Sequence, residues 1–158
     1  MVAAGDTAPD FTVDSTDGMF TLSERVRDGP VLLYFYVINF GKTCTNYLAE
    51  LNEHSEDFRD RGISLYQLND DSVENHLDWM RHTASRYDIL SDPERSVCGA
   101  FDCFVTKARS DKIIGRPNRA FFLIGKDMRI LYSWQADDPM DTVPVCDLLK
   151  AIDGALGE

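Results

Sequence analysis

The residue best placed for chemistry is Cys44. It follows the strongest apolar run of the chain and falls in the first turn of the helix that the next residues predict. Unpaired backbone N–H groups and the helix dipole at such a place stabilise an anion. A thiol there tends towards thiolate, which is its nucleophilic form. The junction after a parallel strand is also where open α/β sheets carry their sites. The other reading is a small buried apolar residue, which free cysteine often is.

Other motifs near this junction carry less. Gly41-Lys42-Thr43 resembles the end of a phosphate-binding loop, but the Gly required five residues earlier is Tyr36. A C-x-x-C exchange centre would need a second cysteine at Tyr47. The remaining cysteines, Cys98, Cys103 and Cys146, and the histidines His54, His76 and His82 do not fall into zinc-ligand spacing. His76 and His82 are expected on a solvated helix face, and Trp79 and Trp134 in packing roles. Asn69-Asp70-Asp71 and Asp137-Asp138 are read as acidic surface loops before cation sites.

The elements around Cys44 follow from periodicity. Val31–Val37 is apolar, aromatic and β-rich, as a central strand buried on both faces requires. Cys44, Leu48, Leu51 and Phe58 recur at roughly helical spacing, predicting one helix that ends near Arg61-Gly62. Residues 63–68 read as the next strand, and Val73, Leu77 and Met80 mark another helix. Residues 88–90 form a short strand, and Asp92-Pro93 is expected to cap a short helix through Phe101. Residues 120–124 and 129–134 form a hairpin around Gly125–Met128. Val145, Leu148, Leu149 and Ile152 form the stripe of a last helix. At the start, two short strands flank Asp14–Gly18, and Thr21-Leu22-Ser23-Glu24 reads as a capping box. This order predicts one α/β domain over residues 1–158, with a mixed sheet and helices on both faces.

Composition narrows the partners. Acidic residues outnumber basic ones 27 to 16, for a net charge of −11. That charge repels phosphate backbones and anionic lipid, so neither nucleic acid nor a membrane is an expected partner. The acidic set is 20 Asp and 7 Glu, and the basic set only 5 Lys against 11 Arg. Such an Asp-rich, Lys-poor surface suits a halophilic protein, in which salt screens self-repulsion. No apolar run is long enough to span a bilayer. The first residues show no basic-then-apolar leader pattern, so a cytoplasmic protein with reduced thiols is the expectation.

A family resemblance covers nearly the whole chain. Gly5-Asp6-Thr7-Ala8-Pro9-Asp10-Phe11, Leu33-Tyr34-Phe35-Tyr36 leading into Cys44, Ser91-Asp92-Pro93, and Arg119–Ile124 resemble the peroxiredoxins, in the same order. The resemblance is strongest to the bacterioferritin-comigratory and one-Cys types. It implies a thioredoxin fold with an N-terminal extension and a peroxidase that needs no metal, flavin or haem. It places the peroxidatic cysteine on Cys44 and a supporting arginine on Arg119. It implies a peroxide substrate, a thioredoxin-like or small-thiol reductant, and a monomer or homodimer.

The family pattern Pro-x-x-x-Thr/Ser-x-x-Cys is only partly kept. Its Pro falls on Val37 and its Thr/Ser on Gly41, with Thr43 the nearest hydroxyl. A Glu that often stands three residues after the cysteine is Tyr47. These departures support an alternative: a weakly active redox sensor or binding protein on the same fold. Two family positions for a resolving cysteine fall on Ala49 and Met80, leaving Cys98, Cys103 and Cys146. Cys98 is expected in the core, Cys103 exposed, and Cys146 in the first turn of the last helix.

Overall fold

The computed structural model describes residues 2–157. Its centre is β3 (Val31–Phe35), every residue of which is buried. β3 pairs in parallel with β4 (Ser64–Asn69), and β4 in parallel with β5 (Ile89–Ser91). On its other side β3 pairs antiparallel with β6 (Ala120–Ile124), which forms a hairpin with β7 (Ile130–Gln135). The N-terminal hairpin, β1 (Thr12–Ser15) and β2 (Gly18–Thr21), adds to β5, giving the order β2-β1-β5-β4-β3-β6-β7.

Strand alternation divides the core into two layers. Leu32, Tyr34, Phe121 and Leu123 face α2 (Lys42–Glu53), α3 (Ser55–Asp60), α4 (Val73–Thr83) and α6 (Val145–Ala155). Leu33, Phe35, Ala120 and Phe122 face the opposite way, towards α1 (Leu22–Arg25) and α5 (Ser96–Ala100). The expected mixed sheet with helices on both faces is therefore present.

Four local expectations are corrected. The single helix over Cys44–Arg61 is two, α2 and α3, parted at His54, whose ring meets the Asp57 carboxylate at 2.8 Å. The capping box does not form: the Thr21 hydroxyl bonds that of Thr12 at 2.8 Å, and Asp10 accepts from the Ser23 N–H instead. Asp92 does cap α5, but from further back, accepting from the N–H groups of Val97 and Cys98 at 3.2 and 2.9 Å. The helix starts at Ser96 because Arg95 takes a left-handed conformation, with its guanidinium on Asp70 and on the Gly115 carbonyl. Fourth, His76 is fully buried while Leu77 is exposed, so α4 is rotated from its expected face and packs through His76 and Trp79.

Phe121 lies beneath the candidate site, stacked on Tyr34 at 4.8 Å and in contact with Tyr47 and Trp134. Phe121→Ala should cost about 3–5 kcal/mol. Urea unfolding followed by circular dichroism should show the loss as a lower midpoint.

Candidate active site

Register brings the two expected residues together. In the β3–β6 ladder Phe35 pairs with Ala120 and Tyr34 with Phe121. Arg119 precedes Ala120, so it shares a face with Phe121 and points to the layer that holds α2. Cys44 is the third residue of α2 and is 5% exposed. The Arg119 Nη2 donates to the Cys44 Sγ at 3.4 Å. Arg119 Nη1 donates to the Tyr34 hydroxyl at 2.5 Å, and Nε to the Pro139 carbonyl at 3.3 Å.

Arg119 is 1% exposed, and among the described residues no carboxylate pairs with it. Burial opposes its charge, but the Tyr34 oxygen and the Cys44 sulfur outweigh that and hold its pKa above the ordinary value. The guanidinium therefore stays charged against the sulfur. Burial drives the Tyr34 and Tyr47 phenols far up, so both are neutral hydroxyls at working pH.

A cavity of about 190 Å³ opens at this pair. Its walls are largely apolar: Val37, Ile38, Ile113, Pro139 and Met140, with Cys44 and Arg119 as the central polar pair and Lys42 and Thr43 also on the lining. Val37 is buried and closes the place that the family gives to proline. Gly41 contributes backbone only, and a Cβ there would meet the Ile38 side chain at 3.0 and 3.2 Å. Ile38 thus fills the space that a Thr or Ser side chain would need. Thr43 lines the cavity, but its hydroxyl turns to the Met140 sulfur at 3.7 Å. The segment carrying Pro139 and Met140 is folded by Asp138, whose carboxylate accepts from the Met140 N–H at 2.9 Å. Tyr47 ties it to α2 through a 2.6 Å bond to the Val143 carbonyl.

The loop between β3 and α2 is anchored from behind. Asn39 accepts from the Tyr36 hydroxyl at 2.5 Å and donates to His76 Nδ1 at 3.0 Å. It also donates to Asp71 at 3.3 Å. Phe40 takes a left-handed φ of 63° and packs on Trp79 at 4.9 Å and His82 at 5.3 Å. Sequence reasoning missed Tyr34, Asn39 and His76. A tyrosine in a central strand at the spacing that faces Arg119 was a signal for the first. Nothing in the periodicity marks the other two.

The other cysteines separate by position. Cys98 and Cys103 are both fully buried in the opposite layer, so Cys103 is not exposed as expected. The Cys98 sulfur meets the Cys103 carbonyl at 2.7 Å. Burial pushes the Cys98 thiol up to about 12 and raises that of Cys103 well above its ordinary value. Cys146 is exposed at the start of α6. Among the described residues no group of three His, Cys, Asp or Glu side chains could hold a metal ion. Asp70 is occupied by Arg95 at 2.9 Å and Arg116 at 3.3 Å, so that acidic loop is an ion-pair hub.

The sequence of residues 4–133 matches the AhpC/TSA family. The chain belongs to that family. It is 31% identical over 150 residues to a 1-Cys peroxiredoxin of Medicago truncatula, covering 88% of this chain and 68% of that protein. It is 28% identical over 163 residues to the 1-Cys peroxiredoxin PER1 of Hordeum vulgare, covering 96% and 72%. Against the Triticum aestivum PER1 it spans 62% of the relative's length, so the chain amounts to about two-thirds of these curated relatives. The crystal structure of a cysteine-to-serine mutant of the peroxiredoxin 6 of Arenicola marina superposes with a TM-score of 0.88 at 22% identity, over 97% of this chain and 73% of that one. Peroxidoxin BcpB of Mycobacterium tuberculosis gives 0.83 at 22%, over 98% of both. These likenesses establish the expected peroxiredoxin-type α/β fold.

Two measurements test this geometry. Peptide-resolved alkylation of the native protein should label Cys146 and leave Cys98 and Cys103 unlabelled until denaturant is added. Labelling of Cys103 in the native state would contradict its burial. The second concerns His76, whose burial lowers its pKa from 6.5 to about 4 despite Asp71 and Asp70 nearby. The folded state refuses the proton that the unfolded chain accepts at 6.5. Stability should therefore be intact above pH 6.5 and fall by about 1.4 kcal/mol per unit between 6.5 and 4. Urea midpoints across that range should show the slope, and it should flatten in His76→Asn.

Proposed function

We propose that the chain is a thiol-dependent peroxidase in which Cys44 is the nucleophile and Arg119 its electrostatic support. The observation that carries this reading is the buried Arg119 guanidinium, 3.4 Å from the Cys44 sulfur at the mouth of a cavity. Family membership supports it and favours it over the sensor alternative.

The thiolate attacks one peroxide oxygen as the O–O bond breaks. The other oxygen leaves with the bonding pair as hydroxide or alkoxide and takes a proton, giving water or alcohol. Arg119 offers donors both to the thiolate and to the oxygen that gains charge. Cys44 becomes a sulfenic acid. A reductant thiol then condenses with it, releasing water and leaving a mixed disulfide, and a second thiol frees Cys44. A solved yeast mitochondrial 1-Cys peroxiredoxin is described as resolved through glutathione and thioredoxin systems. A reductant of that thiol class fits here, since Cys98 and Cys103 lie on the far side of the sheet. Val37 takes the shielding place of the family proline. The cavity relies on Arg119 and the helix terminus where the family adds a hydroxyl.

The reading extends to setting. The Asp-rich, Lys-poor composition supports activity at high salt, and a cycle that consumes thiols suits a reducing cytoplasm. Residues 1–158 would act as one domain.

Cys44→Ser should abolish peroxide consumption coupled to dithiothreitol or thioredoxin, while Cys98→Ser and Cys103→Ala should retain it if they fold. Full activity in Cys44→Ser would refute the assignment.

A further inference from the structure

Among the described residues Arg119 has only neutral fixed partners besides the sulfur: a hydroxyl and a carbonyl. A carboxylate in place of the hydroxyl would hold the arginine equally well, but it would compete with the sulfur for the charge. Tyr34 avoids this. Its ring is locked by stacking on Phe121 at 4.8 Å and Tyr36 at 5.8 Å, and by Tyr47 at 5.6 Å. Its position in β3 is fixed by pairing with Gln67 on one side and Phe121 on the other. The hydroxyl is thus a rigid acceptor for Nη1, and the fork geometry of the guanidinium then aims Nη2 at Cys44.

Resting on the peroxidase reading, we infer that Tyr34 is a positioning residue for that reaction. Its neutral oxygen fixes Arg119 in the orientation that reaches Cys44 and leaves the positive charge to the thiolate and the departing peroxide oxygen. Tyr34 acts through Arg119 and touches neither substrate nor leaving group. The other ionisable groups near Cys44 are Tyr36, which follows β3, and Lys42, which lines the cavity from the start of α2. The segment around Pro139 and Met140 carries Asp138 and Asp141, but only Pro139 and Met140 of it line the cavity, and Ile113 adds no charge.

Tyr34→Phe removes the oxygen and keeps the ring, so the aromatic stack and the fold should persist. The first readout is the pH profile of Cys44 alkylation by iodoacetamide, followed on the Cys44 peptide so that exposed Cys146 does not contribute. The profile should move to higher pH by about half a unit or more in Tyr34→Phe. The second is the rate of Cys44 oxidation by hydrogen peroxide, which should fall roughly tenfold as the guanidinium loses its aim. Both changes should disappear when Tyr34→Phe is made in an Arg119→Gln background. An unchanged alkylation profile in Tyr34→Phe, or an equal shift in the Arg119→Gln background, would overturn the inference. Wild-type oxidation no faster than that of a free thiol would instead refute the peroxidase reading, while the alkylation profile would still judge Tyr34.

Discussion

A guanidinium taken out of water must be matched on every side, and Arg119 is the buried charge around which this fold is arranged. Its partners come from separate parts of the chain: Tyr34 from the central strand, Cys44 from the first turn of α2, and Pro139 from the segment after β7. Tyr34 and Cys44 reach it only because β3 lies beside β6 in the observed register, and Pro139 because β7 pairs with β6. A shift of one residue would turn Arg119 into the opposite layer and end the contact.

The surroundings preserve that arrangement. Asn39, held by Tyr36 and His76, fixes the loop that leads into α2. Tyr47 and Asp138 fix the segment carrying Pro139. Side-chain substitutions around the cavity are coupled in the same way. Ile38 occupies the space beside Gly41, and Thr43 turns its hydroxyl to Met140, so the pocket is drier than the family pattern would make it. An apolar wall strengthens the interaction between guanidinium and sulfur, since fewer water dipoles screen it.

Much of this was legible in the sequence. The run at 31–37 announces its burial by composition, and the turn chemistry of Gly125–Met128 announces the last hairpin. Cys44 could be placed because a strand and a helix meet just before it. Arg119 became a site residue only through family resemblance, because an arginine at the edge of a strand looks the same in a sequence whether solvated or buried. The misplaced residues share one cause. His76 and Cys103 are polar or small groups whose burial depends on what a distant element brings against them. Local periodicity cannot contain that information. The unused capping box reflects the same limit, since hydrogen bonds with Asp10 and Thr12 outcompeted the local option; the break between α2 and α3 is instead local, at the His54–Asp57 pair.

The account depends on the buried guanidinium being what makes Cys44 reactive. The most direct measurement is the second-order rate of Cys44 sulfenic acid formation with hydrogen peroxide, by stopped flow, in wild type and Arg119→Gln at low and high salt. The account predicts a wild-type rate far above that of a free thiol, little changed by salt because the pair is buried. It predicts a loss of about 10²–10³ in the variant. Equal rates in the two proteins would contradict it.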